Sequence, residues 1–210
     1  MRKRNTDNTA GVVKIKKKRN RQESQKRILY AGLEVFSEVG YDAATTKMVA
    51  NRAGLNESLL QRYFESKAGL LCAINRLCVE ALKNQKPYPP QKTPEDEIYQ
   101  FLTRKLKHEN QNVDFIRVII SRSLVDPELR NEIHKQIDFS IDSYLKERLL
   151  SFRHRGMIKS GVNIDSLFLA ILAFGFAVGI MERIVFKTSM EDCMKRFKTF
   201  SQNITKGVCP

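Results

Sequence analysis

The sequence predicts an all-α protein made of two helical bodies. Apolar residues recur at helical spacing along most of the 210-residue chain, without the alternation typical of half-buried strands. Residues 85–94 hold four of the six prolines and interrupt this pattern. Because proline removes a backbone donor and disfavours helix, this stretch predicts a stiff linker. It separates an N-terminal body over residues 22–84 from a larger body over residues 95–206.

Positive charge is concentrated at the N-terminus. The chain carries 37 Lys and Arg against 23 Asp and Glu, a net charge of +14, and nine of the bases lie within residues 1–21. Self-repulsion within a block such as residues 16–19 predicts a disordered basic arm over residues 1–21. This arm could follow the phosphates of a nucleic acid, lie on anionic lipid, or serve only as a solvated tail.

Several enzyme classes lack support in the sequence. It contains no GxSxG, HExxH, P-loop or CxxC motif, and its three histidines are too widely spaced for a local metal site. The four cysteines are expected to be reduced thiols in the cytoplasm. We therefore expect a cytoplasmic protein that is not an enzyme and that uses no metal or cofactor.

Helix start and stop signals divide the N-terminal body into four helices. Gly40 is placed to end the first helix, while Thr45, Asn56 and Ser66 are suitable N-caps for those that follow. The predicted helices span residues 22–39, 46–53, 57–64 and 67–84.

The larger body is predicted to contain helices over residues 94–108 and 112–125, and then one long helix from residue 127 to about 155.

The segment Leu167–Met181 is apolar throughout but holds only 15 residues, fewer than the roughly 17–25 that span a membrane. It is either an ordinary core helix or a core helix that also makes a two-fold dimer contact with the last helix. We favour the second interpretation, because the last helix carries another broad apolar face. The residues expected at this dimer interface are Phe176, Gly179, Arg183, Phe197 and Phe200.

Residues 40–67 predict a helix-turn-helix unit. Two short helices joined by a turn containing Gly54 have the geometry of this motif. The outer face of the second helix carries Glu57, Ser58, Gln61 and Arg62, which are polar and have no partner within their own helix. A short helix with such a face fits the major groove of DNA.

Residues 24–70 resemble the DNA-binding domain of the tetracycline-repressor (TetR) family. The residues that carry the resemblance are Phe36, Gly40-Tyr41, Thr45-Thr46, Val49-Ala50, Ala53-Gly54-Leu55, Asn56, Tyr63-Phe64, Ser66-Lys67 and Leu70. The resemblance implies an N-terminal three-helix helix-turn-helix domain and a larger C-terminal helical domain for ligand binding and dimerisation. The sequence departs from the family pattern at Gln61, where Tyr is usual, and at Leu59, where a small residue is usual.

The resemblance also implies roles for individual residues. Those expected to contact DNA are Thr45, Thr46, Lys47, Glu57, Ser58, Gln61, Arg62, Tyr63 and Lys67. Arg62, Tyr63 and Lys67 are expected at phosphates, and Thr45 and Thr46 at the other flank of the groove. Ser58 and Gln61 are expected at base edges. Glu57 either accepts from cytosine N4 or only supports the start of its helix.

The family layout implies that a small-molecule effector binds the second domain and releases a homodimer from a pseudo-palindromic operator. The residues expected to line that pocket are Phe115, Ile119, Arg122, Phe139, Phe168 and Phe174. A simpler interpretation places the four aromatics in an ordinary core and the Arg122 head in water. The expected function is a DNA-binding repressor with no membrane partner. The alternative is a basic membrane-surface or scaffolding module that binds polyanions without sequence preference.

Overall fold

A computed structural model describes residues 8–84, 86–136 and 142–210, with side chains from residue 20 onward. These residues form α-helices, one π-helix and connecting turns, with no strand among them, and the all-α prediction is confirmed. The α-helices are α1 Asn8–Ala43, α2 Thr46–Ala53, α3 Glu57–Phe64, α4 Lys67–Lys83, α5 Pro94–Gln111, α6 Val113–Val125, α7 Pro127–His134, α8 Ser143–His154, α9 Ile164–Phe176 and α10 Met190–Val208. The π-helix, Ala177–Val185, follows α9 directly.

The helices form two compact units. The first unit comprises residues up to Glu80 together with Val118–Gln136, and the second comprises Ala81–Arg117 and Ile137–Pro210. The units therefore differ from the bodies expected from the sequence, since the end of α6 and all of α7 group with the N-terminal helices. No sequence signal marks this change of unit, because α6 has a continuous helical pattern.

Helix α1 extends further toward the N-terminus than expected. It begins at Asn8, so residues 8–21 are helical instead of disordered, while residues 1–7 lie outside the described part of the chain. Lys and Arg have high helix propensity, and extending an existing helix costs less free energy than starting one. The helical geometry breaks at Gly40, whose φ is +77°, as the glycine stop signal predicts.

The first unit is packed around α1. Ile28, Val35 and Phe36 of this helix are buried together with Leu60 of α3 and Leu70 of α4. The approach of α1 to α4 is close at Gly32, where an added Cβ atom would lie 2.8 Å from the Cδ1 atom of Ile74. A side chain at position 32 would require Ile74 or Leu70 to move.

The long helix expected over residues 127–155 is not formed. Helix α7 ends at His134, and α8 begins only at Ser143, with residues 137–141 outside the described part of the chain. The described chain turns at residues 135 and 136, directly after α7, and Asp142 stands at the N-cap position of α8. Aspartate favours a helix start over a helix interior, which the apolar periodicity alone did not reveal.

The core of the second unit lies among α5, α8, α9 and α10. Phe101 of α5, Leu149 of α8, Ile171 of α9 and Phe197 of α10 are all buried in it. The fully buried Phe197 is therefore a core residue, which corrects its assignment to a dimer interface. Phe200 is also engaged within the chain, since its ring stacks on Phe174 with centroids 4.0 Å apart.

The apolar run of the second unit is longer in the structure than the sequence pattern suggested. Residues Ile164–Val185 form 22 consecutive helical residues, long and apolar enough by composition to cross a membrane. One face of this segment packs into the core of the second unit, while other apolar side chains remain exposed. The exposed ones are Leu169, Phe176, Met181 and Val185, followed by Phe186 just beyond the π-helix.

The proline-rich linker is fastened to the second unit by a buried carboxylate. Glu97 is fully buried and accepts hydrogen bonds from the Tyr88 hydroxyl (2.5 Å), the Gln91 backbone N–H (2.8 Å) and the Arg148 guanidinium (2.7 Å). Burial and the bond to Glu97 raise the pKa of Tyr88, so this phenol remains a donor. The linker is thus stiffened by a satisfied polar network as well as by its prolines.

Replacing this carboxylate should be strongly destabilising. In Glu97→Ala, Arg148 and the Tyr88 hydroxyl lose their common acceptor, and we expect the free energy of unfolding to fall by about 3 kcal/mol or more. Urea denaturation followed by circular dichroism measures this change. Asp114→Ala removes an exposed pair with Arg117 and should cost at most about 0.5 kcal/mol. Equal effects of the two variants would contradict the role given to Glu97.

A second carboxylate of this unit, that of Glu109, is half-buried and has no ion-pair partner among the described residues. The Oε2 atom of Glu109 lies 2.4 Å from where a Cβ atom on Gly179 would stand, so the carboxylate occupies the space that a side chain at position 179 would take. Desolvation by burial raises the pKa of Glu109 to about 7, although Lys105 nearby opposes the shift. The acidic form of Glu109 is therefore favoured in the folded chain.

This shift makes stability depend on pH. The folded chain holds the Glu109 proton up to a pH of about 7, whereas the unfolded chain releases it near 4.5, so this residue weakens folding as the pH rises across that interval. Glu109→Gln should match the parent at the acidic end and become progressively more stable than the parent toward pH 7. Urea titrations at several pH values measure the difference, with the exposed Glu147→Gln as control. A constant difference across this interval would contradict the assignment.

Candidate nucleic-acid interface

Two capped helices and a glycine turn form the helix-turn-helix unit. The Thr45 hydroxyl accepts from the Met48 N–H (3.1 Å) at the start of α2, and the Asn56 side chain accepts from the Ser58 N–H (2.9 Å) at the start of α3. Gly54 between them has a φ of +62°, in the left-handed region. These features confirm the N-caps and the turn that the sequence predicted.

A side chain from α1 fastens this turn. The guanidinium of Arg27 donates hydrogen bonds to the carbonyl oxygens of Ala53 (2.5 Å) and Gly54 (3.4 Å). A Cβ atom at Gly54 would lie 2.9 Å from the Arg27 Nη2 atom, so glycine is required by close approach as well as by backbone geometry. Arg27 was not among the predicted site residues, because an arginine beside an apolar helical stripe has the sequence pattern of a surface charge.

A second bond joins α2 to α3. The Thr46 hydroxyl donates to the Oε1 atom of Glu57 at 2.5 Å. Of the two roles left open for Glu57, this contact favours support of the helix over contact with cytosine. Thr46 is likewise engaged within the motif, and its backbone N–H remains available at the start of α2.

The outer face of α3 is exposed as expected. Ser58, Gln61 and Arg62 are open to solvent, whereas Leu60 is fully buried and Leu59 is half-buried. On the neighbouring helix, Thr45 and Lys47 are also exposed. The polar side chains predicted for the DNA surface are thus brought together on two adjacent helices.

Two guanidinium groups lie beside the end of α3. The Arg62 guanidinium is 5.2 Å from the centre of the Tyr63 ring, and the Arg21 guanidinium is 5.5 Å from the same ring. Tyr63 itself packs edge-on against Phe64. Arg21 was predicted only as part of the basic arm, because residues so far apart along the chain give no sequence signal of this contact.

Lys67 has a different position from the one expected. Its Nζ atom donates to the carbonyl oxygens of Tyr41 (2.8 Å) and Ala44 (2.9 Å), and it lies 4.4 Å from the centre of the Tyr41 ring. It also donates to the carbonyl oxygen of Asp42 (3.4 Å), so all three donors of the ammonium group are directed at backbone carbonyls around the end of α1. The structure thus gives Lys67 a fastening role, and its contact with phosphate stays a prediction.

Arg122 is also held by ion pairs. Its guanidinium contacts the carboxylates of Asp42 (3.3 Å) and Asp126 (3.2 Å) and lies 4.7 Å from the centre of the Tyr41 ring. These contacts belong to the first unit. They replace both expectations for this residue, an anion-binding head in a ligand pocket and a head free in water.

The other residues expected to line the effector pocket are divided between the units. Ile119 belongs to the first unit, whereas Phe115, Phe168 and Phe174 belong to the second. Phe115 is buried, and Phe174 packs against Phe197 and Phe200. Phe139 lies outside the described residues. The pocket therefore stays a prediction.

Among the residues expected at the dimer interface, only Phe176 is largely exposed. Gly179 is buried against Glu109, and Arg183 donates to the Asn110 side chain at 2.9 Å.

The four cysteines form no disulfide. Within the part of the chain that the structure describes, no group of three His, Cys, Asp or Glu side chains could hold a metal ion.

The capped motif and its exposed polar helix define a helix-turn-helix DNA-binding protein. Residues 28–74 match the family model described as bacterial regulatory proteins, tetR family. The HTH-type transcriptional regulator RutR of Escherichia coli (strain K12) is 29% identical over 157 residues, which cover 73% of this chain and 71% of RutR. The HTH-type transcriptional repressor KstR of Rhodococcus jostii (strain RHA1) is 34% identical over 83 residues, covering 40% of this chain and 39% of KstR.

Solved structures agree on the fold. GusR of Salmonella enterica superposes with a TM-score of 0.67 at 18% identity, covering 89% of this chain and 95% of GusR. A transcriptional regulator from Rhodococcus sp. Rha1 superposes with a TM-score of 0.68 at 18% identity, covering 88% and 97%. The match to the tetR family of bacterial regulatory proteins covers residues 28–74, and the similarity to RutR extends over 73% of the chain. The chain is a DNA-binding transcriptional regulator and not an enzyme.

Proposed function

We propose that this regulator is a cytoplasmic homodimeric repressor that binds a pseudo-palindromic operator and is released from it by a small-molecule effector. The observation that carries the proposal is the exposed polar face of α3, formed by Ser58, Gln61 and Arg62 on a helix whose position is fixed from two sides. A helix of this kind reads base edges in the major groove, and a symmetric dimer reads two half-sites.

Each side chain of the face has a chemical role in this proposal. The Gln61 amide can pair with N6 and N7 of adenine, and the Ser58 hydroxyl can donate to or accept from a base edge. Arg62 and Arg21 lie on both sides of Tyr63 and supply positive charge for phosphates. The backbone N–H groups at the start of α2, beside Thr45 and Lys47, can bind a phosphate across the groove.

Dimerisation through the second unit is supported by the apolar side chains that α9 and the π-helix leave exposed. Phe176 is 55% exposed and Phe186 is 68% exposed, values unusual for such large apolar residues. A second copy related by a two-fold axis would present the same surface and cover both. The sequence predicted an interface shared between the apolar segment and the last helix, and we now confine the proposed interface to the outer face of α9 and the π-helix.

Repression and release are the least direct parts of the proposal. KstR is named a repressor, and it is similar to this chain over 83 residues. Release follows if an effector binds better to a conformation in which the two α3 helices no longer match the half-site spacing. Phe115 and Phe168 remain our candidates for the effector site in the second unit.

Selection of duplexes from a random DNA pool at about 150 mM salt tests the proposal, because low salt favours phosphate contacts alone. Enrichment of a two-fold symmetric sequence is the expected result. Binding without any enriched sequence would contradict it and would favour a basic module that binds polyanions.

Gln61 and Arg62 should make different contributions to DNA binding. Gln61→Ala should relax the preference at one base pair of each half-site, because it removes an amide that reads a base. Arg62→Ala should weaken binding to all sequences and lower the salt dependence by about one phosphate contact. Repeated selection and salt titration of each variant make the comparison. An unchanged consensus for Gln61→Ala would show that Gln61 does not read a base.

A charged side chain introduced on the exposed apolar face should dissociate the dimer. Phe176→Asp places a carboxylate within the proposed interface, and we expect the dimer dissociation constant to rise by about a hundredfold or more. Sedimentation equilibrium measures the constant. Leu124→Asp is the matched control, since Leu124 is 75% exposed in the first unit and lies outside this face. Dimerisation that survives Phe176→Asp and fails in Leu124→Asp would place the interface elsewhere.

A further inference from the structure

Helix α1 extends beyond the packed part of the first unit by about four turns. Ile28 is the first buried residue among those of α1 whose side chains are described, whereas the helix itself begins at Asn8. At 1.5 Å per residue, the stretch from Asn8 to Arg21 adds about 20 Å of helix. It contains no Asp or Glu, and six of its fourteen residues are Lys or Arg. The extension is therefore a helix with charges of one sign, attached to the DNA-binding unit.

Four of these bases occupy positions on one face of the extension. Their spacing of i, i+3, i+4 and i+7 places residues along one side of an α-helix. The four are Lys14, Lys17, Lys18 and Arg21, which we call the basic stripe. The positions of the other two bases, Lys16 and Arg19, lie about 140° and 160° around the helix from Arg21. The extension thus has one continuous basic face.

The basic stripe continues the face of α1 that is packed inside the unit. Ile28 follows Arg21 by seven residues and Val35 follows Ile28 by seven, so the three positions lie on nearly the same side of the helix. Ile28 and Val35 are buried in the core. Arg21 is exposed, and its guanidinium lies 5.5 Å from the centre of the Tyr63 ring. This face is therefore apolar where the unit covers it and basic from the end of α3 onward.

Tyr63 connects the basic stripe to the predicted DNA surface. It lies in the last turn of α3, and the Arg62 guanidinium is 5.2 Å from the centre of the same ring. Arg21 and Arg62 are both exposed, so positive charge is continuous from the end of α3 to the start of the stripe. The remaining positions of the stripe lead away from this point along α1.

The charges of the basic stripe oppose the helix that carries them. Lys14 and Lys18, like Lys17 and Arg21, are four residues apart, a spacing at which like charges destabilise an isolated helix. No acid within the extension offsets this repulsion. An external row of negative charges would offset it, so the helical form of the extension is favoured by an anionic partner.

We propose that the basic stripe binds the phosphate backbone of the same duplex whose groove α3 enters, next to the half-site and without reading bases. Lys14, Lys17 and Lys18 add up to three phosphate contacts per chain to those of Arg21 and Arg62. With about 3.4 Å of duplex per base pair, 20 Å of helix can follow about six base pairs beyond the end of α3. This placement rests on the proposed function, in which α3 positions the duplex.

A membrane surface fits the extension less well than DNA does. A helix that lies in a membrane interface needs an apolar face opposite its charges. The positions opposite the basic stripe include Val12 and Ile15, but those of Lys16 and Arg19 lie among them. This mixed pattern favours a row of phosphates over an anionic lipid surface as the partner.

Two double variants of the full chain test the proposal. Lys17→Gln/Lys18→Gln removes two charges from the basic stripe, and Lys16→Gln/Arg19→Gln removes two charges from the opposite face. Gln has nearly the helix propensity of Lys and Arg, so neither variant is expected to disrupt the helix. The two variants have the same net charge and the same mean distance from α3 along the chain, and only the helix face differs.

Salt titration of binding to a duplex of about 40 base pairs, centred on the selected operator, counts the phosphate contacts. Lys17→Gln/Lys18→Gln should lower the slope of log K against log salt concentration by about two, and Lys16→Gln/Arg19→Gln should leave it nearly unchanged. Equal slopes for the two variants would overturn the proposal, because the charges would then act without regard to the helix face. A changed consensus in Lys17→Gln/Lys18→Gln would also overturn it, because the stripe would then read bases.

Shortening the duplex locates the contact. Removal of the base pairs outside the half-sites should weaken binding by the parent and by Lys16→Gln/Arg19→Gln, because it removes the phosphates that the stripe contacts. Lys17→Gln/Lys18→Gln should be much less sensitive to the same shortening. Parent binding that does not depend on the outer base pairs would overturn the proposal.

Two further probes distinguish the proposal from the proposed function and from lipid binding. If the chain selects no sequence, but only Lys17→Gln/Lys18→Gln lowers the salt slope on a random duplex of the same length, the stripe is supported and the proposed function is contradicted. A selected operator with equal slopes for the two variants would overturn the stripe alone. Vesicles of phosphatidylcholine with about one third phosphatidylglycerol test lipid binding. Vesicle binding that only Lys17→Gln/Lys18→Gln loses, with an unchanged salt slope on DNA, would overturn the proposal in favour of a membrane surface.

Discussion

The geometry of the helix-turn-helix unit depends on Gly54, which has a left-handed backbone conformation, and on Arg27, which donates hydrogen bonds to the turn that contains it. Gly54 turns the chain between α2 and α3 at a φ of +62°, and the Arg27 guanidinium donates to the carbonyl oxygens of Ala53 and Gly54. A side chain at position 54 would meet both backbone strain and the Arg27 Nη2 atom. The turn that precedes α3 is therefore held in place from α1.

Many of the positive charges of this basic chain are used internally. Arg27 binds carbonyls of the turn, Lys67 binds carbonyls at the end of α1, and Arg148 pairs with the buried Glu97. Cations in such positions orient helices and satisfy buried acceptors, so they are not available as a diffuse attraction for polyanions. Arg21 and Arg62 remain beside α3, and the net charge of the chain thus overstates how much of it can act on DNA.

The apolar helix of the second unit serves two surfaces at once. Ile171 and Val178 pack into the core, while Phe176 and Val185 are exposed on the same continuous segment. The π-helix shifts the register of this segment and brings Gly179 against Glu109. A carboxyl group that is buried there without an ion pair weakens folding at neutral pH, and such groups are often retained for function and not for stability.

The sequence by itself determined the helical class, the N-caps at Thr45 and Asn56, the glycine turn and the polar face of α3, because each depends on residues close together in the chain. It also carried enough of the family pattern to predict a DNA-binding regulator. Only the tertiary structure placed Arg27 on the turn, Lys67 and Arg122 around Tyr41, and Phe197 in the core. These contacts join residues 15 or more positions apart in sequence, and helical periodicity states which side of a helix is apolar without stating which neighbour will cover it.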